Sequence, residues 1–142
     1  MFFLGRGISY ATALEARLKV MELGYIPCIA YPAGESKHGP ISVIEPGYPV
    51  FFIAPQDSTR KQIIGNIMEM KARGAKIYCV GTEGDEELKE NSDWWLGLPK
   101  VNEVLSPVIY VIPFQLLAYY LAVEKGYDPD KPRNLAKSVT VQ

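Results

Sequence analysis

Three charged residues, Glu15, Lys19 and Glu22, follow one another at spacings of four and three in a segment with helical periodicity. At about 100° per residue they lie within about 60° of one another on one side of the helix. This side borders a predicted buried stripe, so the charged groups would be partly desolvated and their pKa values could shift. The stripe consists of Ala11, Leu14, Leu18, Met21 and Tyr25. The pattern alone favours the simpler interpretation, a surface pair of Glu15 and Lys19 with Glu22 solvated.

The only histidine, His38, lies in a segment of glycine, lysine and glutamate, residues 33–40. An imidazole there can carry protons near neutral pH, although a lone histidine in a loop is more often incidental. A second histidine is lacking, and the two cysteines, Cys28 and Cys79, lie far apart. The sequence therefore predicts no metal site, and it contains no motif that calls for a cofactor.

Two further segments could bind or react. Lys137 lies in the polar tail, residues 128–142, where a lysine is usually solvated. If a pocket holds it, its amine can condense with the carbonyl of a keto sugar. Ser58-Thr59 follows a predicted strand and could accept an anion at a helix N-terminus, although an ordinary helix cap is favoured.

The hydrophobic pattern alternates between short apolar runs and helical segments, which predicts an α/β fold. The predicted architecture is a three-layer parallel sheet flanked by helices, flavodoxin-like or Rossmann-like. Ser9 is expected to cap the first helix and Gly24 to end it. The predicted strands are 2–4, 27–31, 49–54, 76–80 and 94–98, and the predicted helices are 9–23, 58–73 and 101–125. Ligands are expected beyond the carboxyl ends of the strands.

Length and charge narrow the function further. The 142 residues suit a single domain, 1–142, with a functional tail. The 15 basic and 16 acidic residues nearly cancel, so the chain has no charge excess to hold nucleic acid. Residues 104–123 are apolar enough to span a bilayer, but Pro107 and Pro113 interrupt them, which predicts a soluble helix buried on most sides. Neither a membrane nor a nucleic acid is expected as partner, and reduced thiols suit a cytoplasmic protein.

Five segments in this order resemble the second SIS (sugar isomerase) domain of the glutamine-dependent hexosamine-forming aminotransferases. They are residues 3–7, 13–22, 34–40, 113–119 and 132–141. The resemblance spans essentially the whole chain, and its most specific part is the terminal segment Pro132–Val141. It implies the formation of glucosamine 6-phosphate from fructose 6-phosphate. It also implies a site completed by a sister SIS domain, a glutaminase domain and a second subunit of a homodimer.

The resemblance also implies a role for each candidate residue. Glu22 would move the proton between C1 and C2, Lys19 would assist it, and Glu15 would orient the histidine. His38 would open the sugar ring across a subunit interface, and Lys137 would form a Schiff base with the open-chain ketose. The residues implied in substrate binding are Ala136, Lys137 and Glu22.

Three alternatives remain open at this point. The chain could be another SIS-domain sugar-phosphate deaminase or isomerase, a non-catalytic sugar-phosphate-binding regulatory module, or only a dimerisation unit. In the aminotransferases the phosphate is held mainly by the first SIS domain and the ammonia comes from the glutaminase domain. The chain by itself is therefore expected to be inactive. Met1 directly before a predicted core strand suggests an excised domain.

Overall fold

Five parallel strands form one sheet in a computed structural model, which describes residues 1–135. The strands are β1 (Phe2–Gly5), β2 (Ile29–Pro32), β3 (Pro49–Ala54), β4 (Lys76–Thr82) and β5 (Trp94–Leu98). Their order in the sheet is β2-β1-β3-β4-β5, so the connections change direction between β1 and β3. This is the flavodoxin-like order, in which ligands bind beyond the carboxyl ends of the strands. The predicted parallel α/β sheet is confirmed.

Helices cover both faces of the sheet and complete the three layers. They are α1 (Ser9–Gly24), α2 (Arg60–Lys71), α3 (Glu86–Glu90), α4 (Ser106–Tyr110) and α5 (Ile112–Glu124). Short 3-10 turns occur at Ala33–Lys37, Pro40–Val43 and Glu103–Leu105. Because successive side chains of a strand point to opposite faces, Phe2 packs in the core beneath α2. Its neighbour Phe3 packs in the second core, beneath α1 and α5.

The buried face of α1 differs from the predicted stripe. Leu14, Leu18 and Met21 are 38%, 37% and 39% exposed, whereas the buried residues of the helix include Ala13 and Ala16. The physical reason is close packing, because α1 lies directly against both the sheet and α5. Small side chains permit that approach, and the larger apolar residues remain on the outer surface. The predicted buried stripe is therefore wrong.

Both predicted ends of α1 also need correction. Ser9 is the first helical residue, and its buried hydroxyl has no hydrogen-bond partner among residues 1–135, so it does not cap the helix. At the other end Gly24 is still helical, and Tyr25 adopts the left-handed conformation with φ 53°. The Tyr25 amide donates a hydrogen bond to the Met21 carbonyl at 3.2 Å and closes the helix.

The predicted long helix at 101–125 is broken into a 3-10 turn, α4 and α5. Pro107 and Pro113 each remove a backbone N–H, which favours a new helix start near each proline. The most apolar window of residues 103–124 has a mean hydropathy of 1.7, enough by length and composition to cross a membrane, and 22% of it is buried. The prediction of a helix buried on most sides is wrong, because Leu116, Tyr119, Tyr120 and Val123 are exposed.

Candidate functional site

The structure brings Glu15, Lys19 and Glu22 together on α1. The Lys19 Nζ lies 2.7 Å from the Glu22 Oε2 and 3.4 Å from the Glu15 Oε1. The side chains of Lys19 and Glu22 are 29% and 27% exposed, and that of Glu15 is 44% exposed. One ammonium therefore lies between two carboxylates on a half-buried side of the helix that solvent can reach.

This arrangement fixes the charge of Lys19. The hydrogen bond to Glu22 is the largest influence and raises the pKa of the Lys19 ammonium, while partial burial opposes it and the charges of both glutamates add to the increase. Lys19 is therefore protonated near neutral pH. It can donate hydrogen bonds or a proton, but it is not a nucleophile in that state. A carboxylate held by such a partner has the chemistry of a positioned base.

His38 lies at the opposite end of the domain from Glu22. It follows the 3-10 turn after β2, where its side chain is exposed and its amide donates to the Glu35 carbonyl at 3.1 Å. Because β1 and β2 are parallel, this is the edge at which α1 begins. At about 1.5 Å per residue, the helix from Ser9 to Glu22 extends about 20 Å away from it. A site containing both His38 and Glu22 would require a second copy of the chain.

Lys137 and Ala136 lie outside the described residues, but the segment that leads to them is described. The Arg133 amide donates a hydrogen bond to the Tyr25 hydroxyl at 2.8 Å, and the Arg133 guanidinium lies 3.8 Å from the centroid of the Tyr25 ring. Tyr25 comes three residues after Glu22, so the tail crosses α1 at its Glu22 end. Sequence reasoning assigned Tyr25 to the buried stripe and missed this contact, which joins residues 108 positions apart.

The loop after β3 does not provide the anion site considered for Ser58-Thr59. Helix α2 begins at Arg60, and the Asp57 Oδ1 accepts hydrogen bonds from the Thr59 amide at 2.8 Å and from its hydroxyl at 2.7 Å. A carboxylate therefore lies just before this helix start, and its charge would repel a phosphate. The predicted cap by Ser58-Thr59 is wrong, because Thr59, the residue before α2, makes no capping hydrogen bond with its side chain.

Arg60, the first residue of α2, is engaged in an ion pair. Its guanidinium donates two hydrogen bonds to Asp85, both at 2.6 Å, and a third to Glu87 at 3.1 Å. Burial is the largest influence on Asp85 and raises its pKa, but the bonds from Arg60 and the Leu88 amide together outweigh burial and lower the pKa. Asp85 also caps α3 through the Leu88 amide, a helix that sequence reasoning missed.

Within residues 1–135, no three His, Cys, Asp or Glu side chains lie close enough to hold a metal ion. Cys28 and Cys79 are both free and buried. Burial raises the pKa of the Cys79 thiol to about 12, so this thiol stays protonated at neutral pH. Neither cysteine has the exposure that a reactive thiolate needs.

Several known proteins are similar to this chain in sequence and in fold. The sequence profile of the SIS domain matches residues 1–125. A relative from Methanothermobacter thermautotrophicus, a glutamine–fructose-6-phosphate aminotransferase (isomerizing), is 49% identical over 142 residues, which are 99% of this chain and 24% of the relative. The chain thus spans about a quarter of the length of such curated relatives.

Two solved structures are also similar. One is the C-terminal domain of glucosamine-fructose-6-phosphate aminotransferase from Francisella tularensis, with a TM-score of 0.84 and 37% identity. The match covers 92% of this chain and 37% of that chain. The other is glucosamine-6-phosphate deaminase from Thermotoga maritima, with a TM-score of 0.77, 30% identity, and coverage of 97% and 39%. The resemblance found in the sequence is confirmed.

Proposed function

The chain belongs to the SIS domain family, and we propose that it supplies the isomerase residues of a fructose-6-phosphate aminotransferase. It binds fructose 6-phosphate and takes part in the isomerisation that yields glucosamine 6-phosphate. Two observations support the proposal. The identity to the isomerizing aminotransferase of M. thermautotrophicus extends along 99% of this chain. The observation that carries it is the Lys19 ammonium held 2.7 Å from the Glu22 carboxylate.

In this proposal Glu22 is the base of the isomerisation. The nitrogen from ammonia is first bound to C2 of the ketose as an imine. With the imine nitrogen protonated, Glu22 takes a proton from C1 and the electron pair of that C–H bond forms the C1–C2 double bond. The electron pair of the C2–N double bond moves to the nitrogen, which becomes an amine. Returning the proton to C2 and releasing the C1 hydroxyl proton gives the aldehyde of glucosamine 6-phosphate. Lys19 holds the carboxylate in place and, with its raised pKa, stays charged throughout.

Ring opening and carbonyl capture precede that step. His38 of a second copy of the chain opens the sugar ring, with Glu15 orienting its imidazole. Lys137 forms a Schiff base at C2 of the open-chain ketose with release of water, and ammonia then displaces the lysine amine from C2 to give the imine. Ala136 also contributes to substrate binding. A cross-subunit site is supported by the length of α1, which separates Glu22 from the edge where His38 lies.

The remaining parts of the enzyme would come from other domains. A sister SIS domain supplies the phosphate site, since an aspartate occupies the helix start after β3 in this chain, and a glutaminase domain supplies ammonia. The exposed apolar side chains of α1 and α5 give such domains, or a second subunit of a homodimer, a surface on which to pack. They include Leu14, Leu18, Tyr119 and Tyr120. We place this reaction in the cytoplasm.

Subunit complementation tests the proposal. The enzyme is prepared at its full encoded length as two inactive variants, Glu22→Gln and His38→Asn, which are mixed under conditions that exchange subunits. If each site takes Glu22 from one subunit and His38 from the other, a random mixture of dimers recovers about a quarter of wild-type activity. Lys37→Gln is the matched control and keeps full activity by itself. No recovery from subunits shown to have exchanged would contradict the cross-subunit site.

A second function is favoured by the likeness to the deaminase of Thermotoga maritima. A deaminase would release ammonia from glucosamine 6-phosphate and would need no glutamine. Ammonia release from glucosamine 6-phosphate, with no product formed from glutamine and fructose 6-phosphate, would favour this function. Binding of glucosamine 6-phosphate without turnover in either direction would instead indicate a regulatory module.

A further inference from the structure

We propose that Tyr25, Tyr127 and Arg133 form a tail latch, a positioning device that holds the segment before Lys137 against the Glu22 end of α1. The inference rests on the proposed function, because it concerns delivery of the lysine that forms the Schiff base there. The three residues act on Lys137 through the chain that joins it to Arg133, so they are positioning residues. Their role is to shorten the free chain that carries Lys137.

The tail latch combines two kinds of contact at one tyrosine. The Arg133 guanidinium lies 3.8 Å from the centroid of the Tyr25 ring and 5.6 Å from that of Tyr127. These distances are within the range of cation–π attraction. The Arg133 amide also donates to the Tyr25 hydroxyl at 2.8 Å. Tyr25 thus binds Arg133 through both its ring and its hydroxyl, which fixes the direction in which the tail leaves.

The two rings of the tail latch are fixed to the scaffold. Their centroids are 4.8 Å apart. Lys125, the residue that follows α5, donates from its Nζ to the Gly24 carbonyl at 2.9 Å, and this Nζ lies 5.9 Å from the centroid of Tyr127. This bond joins the end of α5 to the end of α1. The tail latch is therefore seated where two packed helices end, so its position follows that of α1.

Backbone conformation gives an independent indication. In the described part of the chain, Tyr25 with φ 53° and Asn134 with φ 62° are the only residues other than glycine with positive φ. The left-handed region is unfavourable for a tyrosine, and helices commonly end there with glycine. Both residues lie at the contact, since Tyr25 forms it and Asn134 directly follows Arg133. A residue held in an unfavourable backbone conformation often has a functional role, and here the Tyr25 side chain binds the tail.

Chain length gives the expected size of the effect. Without the tail latch, the last helical anchor before Lys137 is Glu124 at the end of α5, a tether of about 13 residues. With Arg133 held, the tether is about four residues and reaches at most about 14 Å. Effective concentration falls roughly as the −3/2 power of tether length, so the tail latch raises that of the Lys137 amine about sixfold.

Trapping of the Schiff base by borohydride measures this effect in the enzyme at its full encoded length. With fructose 6-phosphate as substrate, Tyr25→Leu, which removes both the ring and the hydroxyl that hold Arg133, is expected to lower the trapping rate about sixfold. Arg133→Gln keeps the amide bond to Tyr25 and is expected to lower the rate by a smaller factor. Tyr25→Phe, which keeps the ring and loses the hydroxyl, is also expected to lower the trapping rate by a smaller factor. Arg133→Lys, which keeps a positive charge near the ring, is expected to trap faster than Arg133→Gln. Affinity for glucosamine 6-phosphate and the thermal midpoint stay at wild-type values. Arg73→Gln, an exposed arginine on the other face of the sheet, is the matched control.

A second measurement needs no catalysis. Trypsin cleaves after Arg133, and Tyr25→Leu is expected to speed that cleavage severalfold in the folded chain relative to Arg73→Gln. An unchanged cleavage rate overturns the tail latch. So does a wild-type trapping rate in Tyr25→Leu, or a fall in trapping that only parallels a lower thermal midpoint. If the wild-type enzyme itself traps no sugar, the proposed function fails and the positioning role fails with it.

Discussion

Replacing Glu22 by glutamine separates the chemistry of the site from its stability. Glu22 and Lys19 are 27% and 29% exposed, so solvent screening limits the worth of their 2.7 Å pair. Partly exposed pairs three or four residues apart on a helix contribute about 0.5 kcal/mol. For a chain of this size, that lowers Tm by about 1–2 °C. Loss of a general base, in contrast, lowers a rate by about 10²–10⁴.

The assay follows glucosamine 6-phosphate formation by the enzyme at its full encoded length, together with exchange of the C1 proton of the sugar with solvent. The Glu22→Gln variant is expected to lose both activities while Tm and the affinity for fructose 6-phosphate change little. Glu69→Gln is the matched control, because Glu69 also pairs with a lysine, Lys37, at 3.8 Å on the surface. A Glu22→Gln variant that keeps more than about a tenth of the rate would refute the role of Glu22 as base. So would a rate loss accompanied by a large fall in Tm.

Three further outcomes test the scaffold. Asp85→Asn should lower the free energy of unfolding by about 3 kcal/mol in urea titrations, because Arg60 then loses the buried partner that it binds through two hydrogen bonds. The pKa of Asp85 is lowered in the folded state, so the extra stability of the wild type over Asp85→Asn should be fully present above the usual pKa of a carboxyl group. This extra stability should be lost as the pH falls through the folded-state pKa. The unfolding free energies of the two proteins should therefore converge in acid. Gly5→Ala should prevent normal folding, as measured by circular dichroism, because the new Cβ would lie 2.4 Å from the Ser9 carbonyl oxygen. In the control Gly65→Ala the Cβ meets nothing within 4 Å, so this substitution should stabilise the chain by about 0.5–1 kcal/mol. The Cys79 thiol should resist alkylation at pH 8 in the folded chain and react on unfolding, because burial holds its pKa at about 12; rapid labelling of the native chain would contradict this.

The strands were the most predictable part of the fold. Residues 49–54 and 94–98 were predicted with the bounds that β3 and β5 have, because each is a short run with apolar or aromatic side chains bounded by polar or turn residues. The five-residue helix α3 was missed, since it is too short for helical periodicity and is marked mainly by the Asp85 cap. Local pattern identifies an element when it spans several repeats of its period.

The buried face of α1 could not be read from hydrophobicity. The larger apolar residues, such as Leu14 and Leu18, lie outside, and alanines lie inside because two neighbours approach the helix closely. The use of a hydrophobic pattern assumes that the largest apolar residues are buried, and it fails where a helix keeps such residues exposed on its outer side. The same holds for α5, whose exposed Tyr119 and Tyr120 have no covering partner in the described part of the chain.

The candidate site also has parts that the sequence pattern specifies and parts that it does not. Helical spacing predicted the pair of Lys19 with Glu15, which the structure confirms at 3.4 Å. The interpretation of Glu22 as solvated is wrong, because Glu22 pairs with Lys19 at 2.7 Å. The position of His38 at the other edge follows from the parallel pairing of β1 and β2. The contact of Arg133 with Tyr25 depends on where α1 and α5 end relative to each other, which no local pattern in the sequence specifies.

The most direct test of the proposed function is the identity of the lysine that captures the sugar. The enzyme at its full encoded length is incubated with labelled fructose 6-phosphate, reduced with borohydride, digested and mapped by mass spectrometry. The sugar is expected to be attached to Lys137, and Lys137→Arg is expected to abolish the labelling while Lys131→Arg does not. Label on Lys19 or on any other lysine would contradict it.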